Sequence, residues 1–263
     1  MVFDGDVDDQ LEPMARQRKR LEAQLATFTD DQWQTHSRCT DWTVRDVIAH
    51  LVGVNQFWTY SVKCALAGNP SRLLANFDPA GTPAEMVAGM VAISTSEVLA
   101  QFVFSNREFL ASLDGLTTAQ WGMLGESPAG HVPLRLVAQH ALWDSWIHER
   151  DIMVPLGLAQ VEEPDELTSC LRYVAALSPT FTISTGADIG GVFGVSARRP
   201  TITFSIAVHD TVTCSQRAEF DGITLMGDAT ELVEALSLRA PLPDDAPEAW
   251  QQLLTGITRA MSN

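Results

Sequence analysis

Residues 134–154 read LRLVAQHALWDSWIHERDIMV, and the spacing inside this stretch sets the architecture of the chain. His140, Asp144 and His148 follow one another at steps of four. On a helix such steps bring side chains onto one face. Leu134, Val137 and Ala141 lie on or beside that face, so the polar trio belongs at the edge of a core. Imidazole, carboxylate and imidazole suit a divalent transition metal. Asp144 and His148 form a natural i,i+4 chelate. His140 is left to act behind it, orienting Asp144, because the three positions span about 12 Å of helix rise. A further ligand has to come from elsewhere, and His50 is the best candidate. Spacing alone leaves a second reading open, in which Asp144 simply hydrogen-bonds one of the imidazoles on its own helix.

The helical pattern extends on both sides of this stretch. A first amphipathic helix is expected over 7–28, with Leu11, Met14, Leu21, Leu25 and Phe28 near helical spacing. TDDQWQTHSRCTDW then reads as a loop and short turn. Thr43 opens a second helix through an acidic capping box, Thr43-Val44-Arg45-Asp46. His50 falls among Val47, Leu51 and Val54 on its apolar side. A long Pro- and Gly-containing connection leads to Thr82-Pro83, read as N-cap and first turn of a third helix over 83–113. Pro133 begins the fourth helix, and Pro155 and Gly157 end it. Four long helices with an internal crossover predict a bundle, a fold that places metals between facing helices.

After about residue 160 the texture changes. A helix over 164–177 precedes strands in TITFSIAV and DTVTCSQ, Asp228–Glu231 forms another capping box, and a last helix is expected over 247–261. The predicted class is therefore α+β in two domains, a bundle over 1–157 and an α+β unit over 165–263, with 157–166 as linker. The tract Gly186–Gly194 lacks the Lys-Ser/Thr of a phosphate loop and reads as loop or strand glycines.

Composition narrows the function. The net charge of −16, without a basic stripe, argues against nucleic acid and anionic membranes. No apolar run approaches the roughly 20 residues of a membrane span. The acidic start MVFDGDVDDQLE has no signal-peptide core, so a cytoplasmic protein is expected. Four dispersed cysteines, Cys39, Cys64, Cys170 and Cys214, read as thiols, and any metal must use His and carboxylate.

The stretch Ser37–Leu51, SRCTDWTVRDVIAHL, resembles the mycothiol-dependent maleylpyruvate isomerase family, within the DinB-like metal-binding bundles. Members show Cys, a short gap, Trp-Thr-Val-Arg-Asp, then Ala-His-Leu. Their second signature is an acidic residue four before a His and followed by Asp, here Asp144, His148 and Asp151. The resemblance implies a divalent metal, zinc by expectation, on His50, Asp144 and His148. Asp144 is one methylene shorter than the Glu often found there. It also implies mycothiol as the thiol cofactor and a smaller, somewhat sterol-carrier-like C-terminal α+β domain. Arg239 best matches the Arg that meets the anionic substrate, although the Trp and Gly usually around it are missing. The function this points to is a metal-dependent S-transferase or isomerase acting on a small electrophile, with His140 and Arg239 assisting. The competing expectation is a non-catalytic ligand-binding or sensor protein on the same scaffold.

Overall fold

The structure, a computed structural model, describes residues 1–4, 11–76, 81–216, 222–243, 246 and 248–257. The chain divides into two compact units, residues 9–161 and residues 1–8 with 162–263. The first strand, β1 (Val2–Asp4), therefore belongs with the C-terminal half, not with the bundle as a 1–157 domain would have it. The reason is backbone pairing: Val2, Phe3 and Asp4 run parallel to Thr213, Cys214 and Ser215.

The unit over 9–161 is helical. Its long helices are α1 (Leu11–Leu25), α3 (Val44–Leu66), α5 (Thr95–Leu113) and α7 (Leu134–Met153). Short helices α2 (Asp30–Gln34), α4 (Gly81–Gly89) and α6 (Thr118–Trp121) lie between them. A hairpin of β2 (Leu124–Ser127) and β3 (Gly130–Pro133) leads into α7. α3 packs on α5 and α7, and α1 on α5 and α7. Leu21, Leu25, Trp33, Val47, Ile48, Leu51, Phe102, Ile152 and Met153 share one core.

Local chemistry accounts for the helix ends. Thr43 accepts from the Asp46 backbone, and the Asp46 carboxylate accepts in return from Thr43 N at 3.0 Å. α1 ends at Leu25, short of the expected 28, and Thr29 opens α2 with its own capping box. The expected helix over 83–113 is two helices. Ser94 and Glu97 form a capping box that starts α5 afresh. Arg45 Nη2 donates to the carbonyls of Met90 and Ile93 at 2.5 and 2.7 Å, satisfying the backbone opened by the break. α4 begins at Gly81, so Thr82 is inside its first turn and not its N-cap. Buried Glu126 on β2 accepts from Ser71 Oγ, Leu73 N and Leu74 N, which fastens the connection after α3 to the hairpin.

The second unit holds a five-stranded sheet in the order β1-β6-β5-β4-β7, with β4 Gly191–Arg198, β5 Ile202–Val208, β6 Val212–Ser215 and β7 Thr224–Asp228. On β5, Ile202, Phe204, Ile206 and Val208 alternate inward, the period-2 pattern of a half-buried strand. Helices α8 (Pro164–Ser184) and α9 (Ala229–Leu236) pack together, and α8 also meets β5 and β6. α8 runs past the expected end at 177 and carries Pro179 inside it, with the Thr180 and Thr182 hydroxyls bonded back to Ala176 O and Ser178 O. Asp228 and Glu231 form the expected capping box. α10 spans Glu248–Leu254, and residues 258–261 of the expected last helix lie outside the described ones. Gly191 starts β4 at φ +147, and the Trp250 indole fills the space a side chain would need, so this glycine serves packing. Among the described residues no helix is long and apolar enough to cross a membrane.

Candidate metal centre

Two facing helices build the centre. α3 carries His50 two turns from its capped start, and α7 carries Asp144 and His148 one turn apart. Nε2 of His148 lies 3.7 Å from Asp144 Oδ1, and Nε2 of His50 lies 4.0 Å from the same oxygen. The two imidazoles meet edge to face with centroids 5.0 Å apart. At these separations the histidines interact with Asp144 through space and not by hydrogen bonds. One ligand atom from each of the three residues lies within 4.8 Å of the others.

This donor set fits a divalent cation. Two imidazole nitrogens and one carboxylate oxygen match an open catalytic zinc site, and bonds of about 2.1 Å place tetrahedral ligands roughly 3.4 Å apart. The 3.7 and 4.0 Å gaps need only a small contraction. Among the described residues none hydrogen-bonds the buried His50 Nδ1, so none of these neighbours fixes the ring through that atom.

Electrostatics follow from burial and proximity. Burial pulls His50 below the ordinary histidine value, although Asp144 opposes this. Burial works against the Asp144 carboxylate too, yet the imidazoles of His50, His148 and His140 hold it well below the usual range. For His148 burial is outweighed by the Cys39 sulfur, Asp151 and Asp144, and its pKa rises well above the usual one.

Behind His148 stands a second group. Its Nδ1 donates to Asp151 Oδ2 at 3.1 Å, one turn along α7. The same oxygen accepts from Cys39 Sγ at 3.2 Å, and Arg38 Nε donates to Oδ1 at 3.1 Å. Arg38 and Cys39 come from the connection between α2 and α3, which is tied to itself and to α7. Ser37 N donates to Trp42 O, Val44 N to Thr35 O, and Arg38 N to Asp151 O, all within 3.0 Å. Asp41 takes a left-handed turn at φ +64. The turned segment lays Trp42 against His50, centroids 5.2 Å apart.

The expected residues are thus distributed unevenly. His50, Asp144 and His148 come together. His140 lies two turns from His148, with its ring between Trp58 at 4.9 Å and Trp143 at 5.4 Å. Burial drives its pKa down to about 4, with Asp144 opposing. Arg239 follows α9 in the other unit, where its backbone N–H donates to Glu234 O. Sequence reasoning gave Cys39 no chemical role and Asp151 none beyond a place in a signature. The one-turn step from His148 to Asp151 was the available signal for the latter.

The profile of the mycothiol maleylpyruvate isomerase N-terminal domain family matches residues 14–153, more than half of the chain. The chain belongs to this family. The matched segment runs from α1 to the end of α7 and includes His50, Asp144, His148 and Asp151. The fold of this family member also resembles a crystal structure of a mycothiol-dependent maleylpyruvate isomerase, at a TM-score of 0.64 and 16% identity, covering 90% of this chain and 91% of that one. A histidine-to-alanine mutant of such an isomerase matches at 0.64 and 15%, with the same coverage. The chain is thus homologous to an enzyme and shares its fold over 90% of its length. No curated protein sequence matches this family member.

Proposed function

We propose that this chain is a metal-dependent enzyme that uses a low-molecular-weight thiol, mycothiol, on a small electrophilic substrate, as an isomerase of the maleylpyruvate type or as an S-transferase. The observation that carries the proposal is the convergence of His50, Asp144 and His148 within a segment that belongs to this family. A divalent cation on these residues supplies Lewis acidity, which makes a thiol presented to it reactive as thiolate toward an activated carbon. The chain's own residues prepare that chemistry. His50 and His148 offer Nε2 atoms from opposite helices, and Asp144 supplies the negative charge between them. Burial of the two histidines, with Asp144 half-buried between them, keeps the electrostatic interactions strong. Trp42 covers His50 and limits the approach of water on that side. Arg239 is retained as the cation for an anionic substrate on the resemblance alone, and His140 as the residue behind the chelate that orients Asp144.

Metal content by elemental analysis, on the wild type beside His50→Ala and His148→Ala, tests the reading. Near-stoichiometric zinc or another transition metal in the wild type, lost from both variants, is the expected result. Mycothiol-dependent turnover of maleylpyruvate by the loaded protein then separates isomerase from transferase. A wild type that takes up no metal even on reconstitution overturns the proposal and favours a ligand-binding or sensor protein.

A further inference from the structure

We infer that Asp151 is the positioning residue of this centre: it fixes the proton of His148 on Nδ1 and thereby turns the Nε2 lone pair toward His50 and Asp144. The inference rests on the metal-site reading for its consequence, but its geometry stands independently. Asp151 is completely buried, and an isolated carboxylate there would be very costly. Donors reach it from both sides, Arg38 Nε on one oxygen and both Cys39 Sγ and His148 Nδ1 on the other. An ionised carboxylate can only accept. Nδ1 of His148 must therefore carry the hydrogen, which leaves Nε2 as the atom free to ligate. Ligating histidines gain orientation and basicity from such a partner.

The same three residues, Cys39, His148 and Asp151, also bring ligand atoms within 4.8 Å of one another. A second cation there is disfavoured, because the Arg38 guanidinium already faces the Asp151 charge at 3.1 Å. Arg38 and Cys39 hold the carboxylate so that Oδ2 stays under the imidazole. This also gives a reason for the tied loop before α3: its backbone bond from Arg38 N to Asp151 O brings both side chains to their partner.

Asp151→Asn is the decisive variant. It keeps the shape but can place an N–H against Nδ1, which drives the imidazole hydrogen onto Nε2. Affinity for zinc, measured by competition with a chromophoric chelator, is expected to fall about 10- to 100-fold. Thermal unfolding of the metal-free variant reports whether the fold persists. In metal-free wild type, at a pH high enough for the His148 ring to be neutral, nitrogen-15 NMR should show a protected Nδ1–H on His148, absent from Asp151→Asn. Failure of the wild type to bind zinc strikes at the proposed function, whereas the NMR signal still decides the role of Asp151. An unprotected Nδ1 in the wild type, or unchanged zinc affinity in a folded Asp151→Asn, overturns the inference.

Discussion

Arg18 Nη1 donates to Asn55 Oδ1 at 2.6 Å in the interior of the bundle. The same nitrogen reaches Asn106 Oδ1 at 2.5 Å, and Nη2 reaches Ala141 O at 3.2 Å. One guanidinium on α1 therefore touches α3, α5 and α7. Asn55 Nδ2 closes the network onto Asn106, which in turn donates to Glu22. Asn55 lies five residues beyond His50 on α3, and Ala141 three before Asp144 on α7. The cation thus helps set the register that brings His50 opposite His148. Burial lowers even its pKa to about 10, although Asp144 and Glu22 oppose the shift.

Removing this group takes a charged donor from Asn55 Oδ1, Asn106 Oδ1 and Ala141 O, of which Asn106 keeps the bond from Asn55 Nδ2. Each buried unsatisfied acceptor costs about 1–3 kcal/mol. Arg18→Ala is accordingly expected to destabilise the protein by about 3 kcal/mol or more, and Arg18→Met, which refills the volume, by less. Urea unfolding of both variants checks this. Equal stability of wild type and Arg18→Ala would show that the network contributes specificity and not stability.

Asp144 supplies the only carboxylate among the three converging ligand atoms. Asp144→Asn keeps its size but removes the charge, and zinc affinity is expected to drop at least about tenfold. Asp144→Glu adds one methylene toward histidines now 3.7 and 4.0 Å away, and should retain the metal. Chelator competition on the two variants distinguishes charge from reach. Undiminished binding by Asp144→Asn would remove Asp144 from the ligand set.

What could be read from the sequence was local, and what escaped it was not. The boxes at Thr43–Asp46 and Asp228–Glu231 are three-residue relations, and both form. The i,i+4 step from Asp144 to His148 needs only one helix. The break before α5 was equally local, in Ser94 and Glu97, but the apolar texture on both sides concealed it. Cys39 and Asp151 are 112 residues apart, and no spacing rule joins them. β1 escaped for the same reason, because its partner β6 is about two hundred residues away. Arg18 was half legible. It interrupts the stripe Met14, Leu21, Leu25 at a core-facing position, and a cation there has to find buried acceptors.

Glu126 holds the segment after α3 by accepting from Ser71, Leu73 N and Leu74 N at 2.7, 2.9 and 2.8 Å. Hydrogen bonds to a charged group are worth about 1.5–3 kcal/mol each before non-additivity. Glu126→Ala is expected to free the 71–76 segment locally, so that limited proteolysis cuts there faster than in the wild type. Unchanged cleavage would mean that His131, bonded to Ser71 O at 2.7 Å, suffices as the anchor.

Metal uptake should release a proton. In the metal-free protein His148 is protonated well above the ordinary histidine range, because Cys39, Asp151 and Asp144 overcome its burial. A raised folded pKa contributes stability below the unfolded value of 6.5 and loses it as pH rises through the folded one. The same proton occupies the ligating ring at lower pH, so zinc affinity weakens as pH falls, by up to about tenfold per unit. Chelator competition between about pH 6 and about pH 8 measures the slope. A flat profile would show that His148 does not change protonation on binding.

His140 works in the opposite direction. Burial holds its pKa down to about 4, although Asp144 raises it, against 6.5 for the unfolded chain. Between those values the unfolded chain binds the proton and the folded chain does not. Stability from this residue is therefore complete above pH 6.5 and is lost as pH falls toward about 4. The loss amounts to about 3 kcal/mol at full protonation of the unfolded state. His140→Phe keeps a ring between Trp58 and Trp143 but carries no titrating group. Urea unfolding of the two metal-free proteins across that window should show the wild type losing stability on acidification faster than the variant. Parallel curves would mean that protonated His140 is accommodated in the folded bundle.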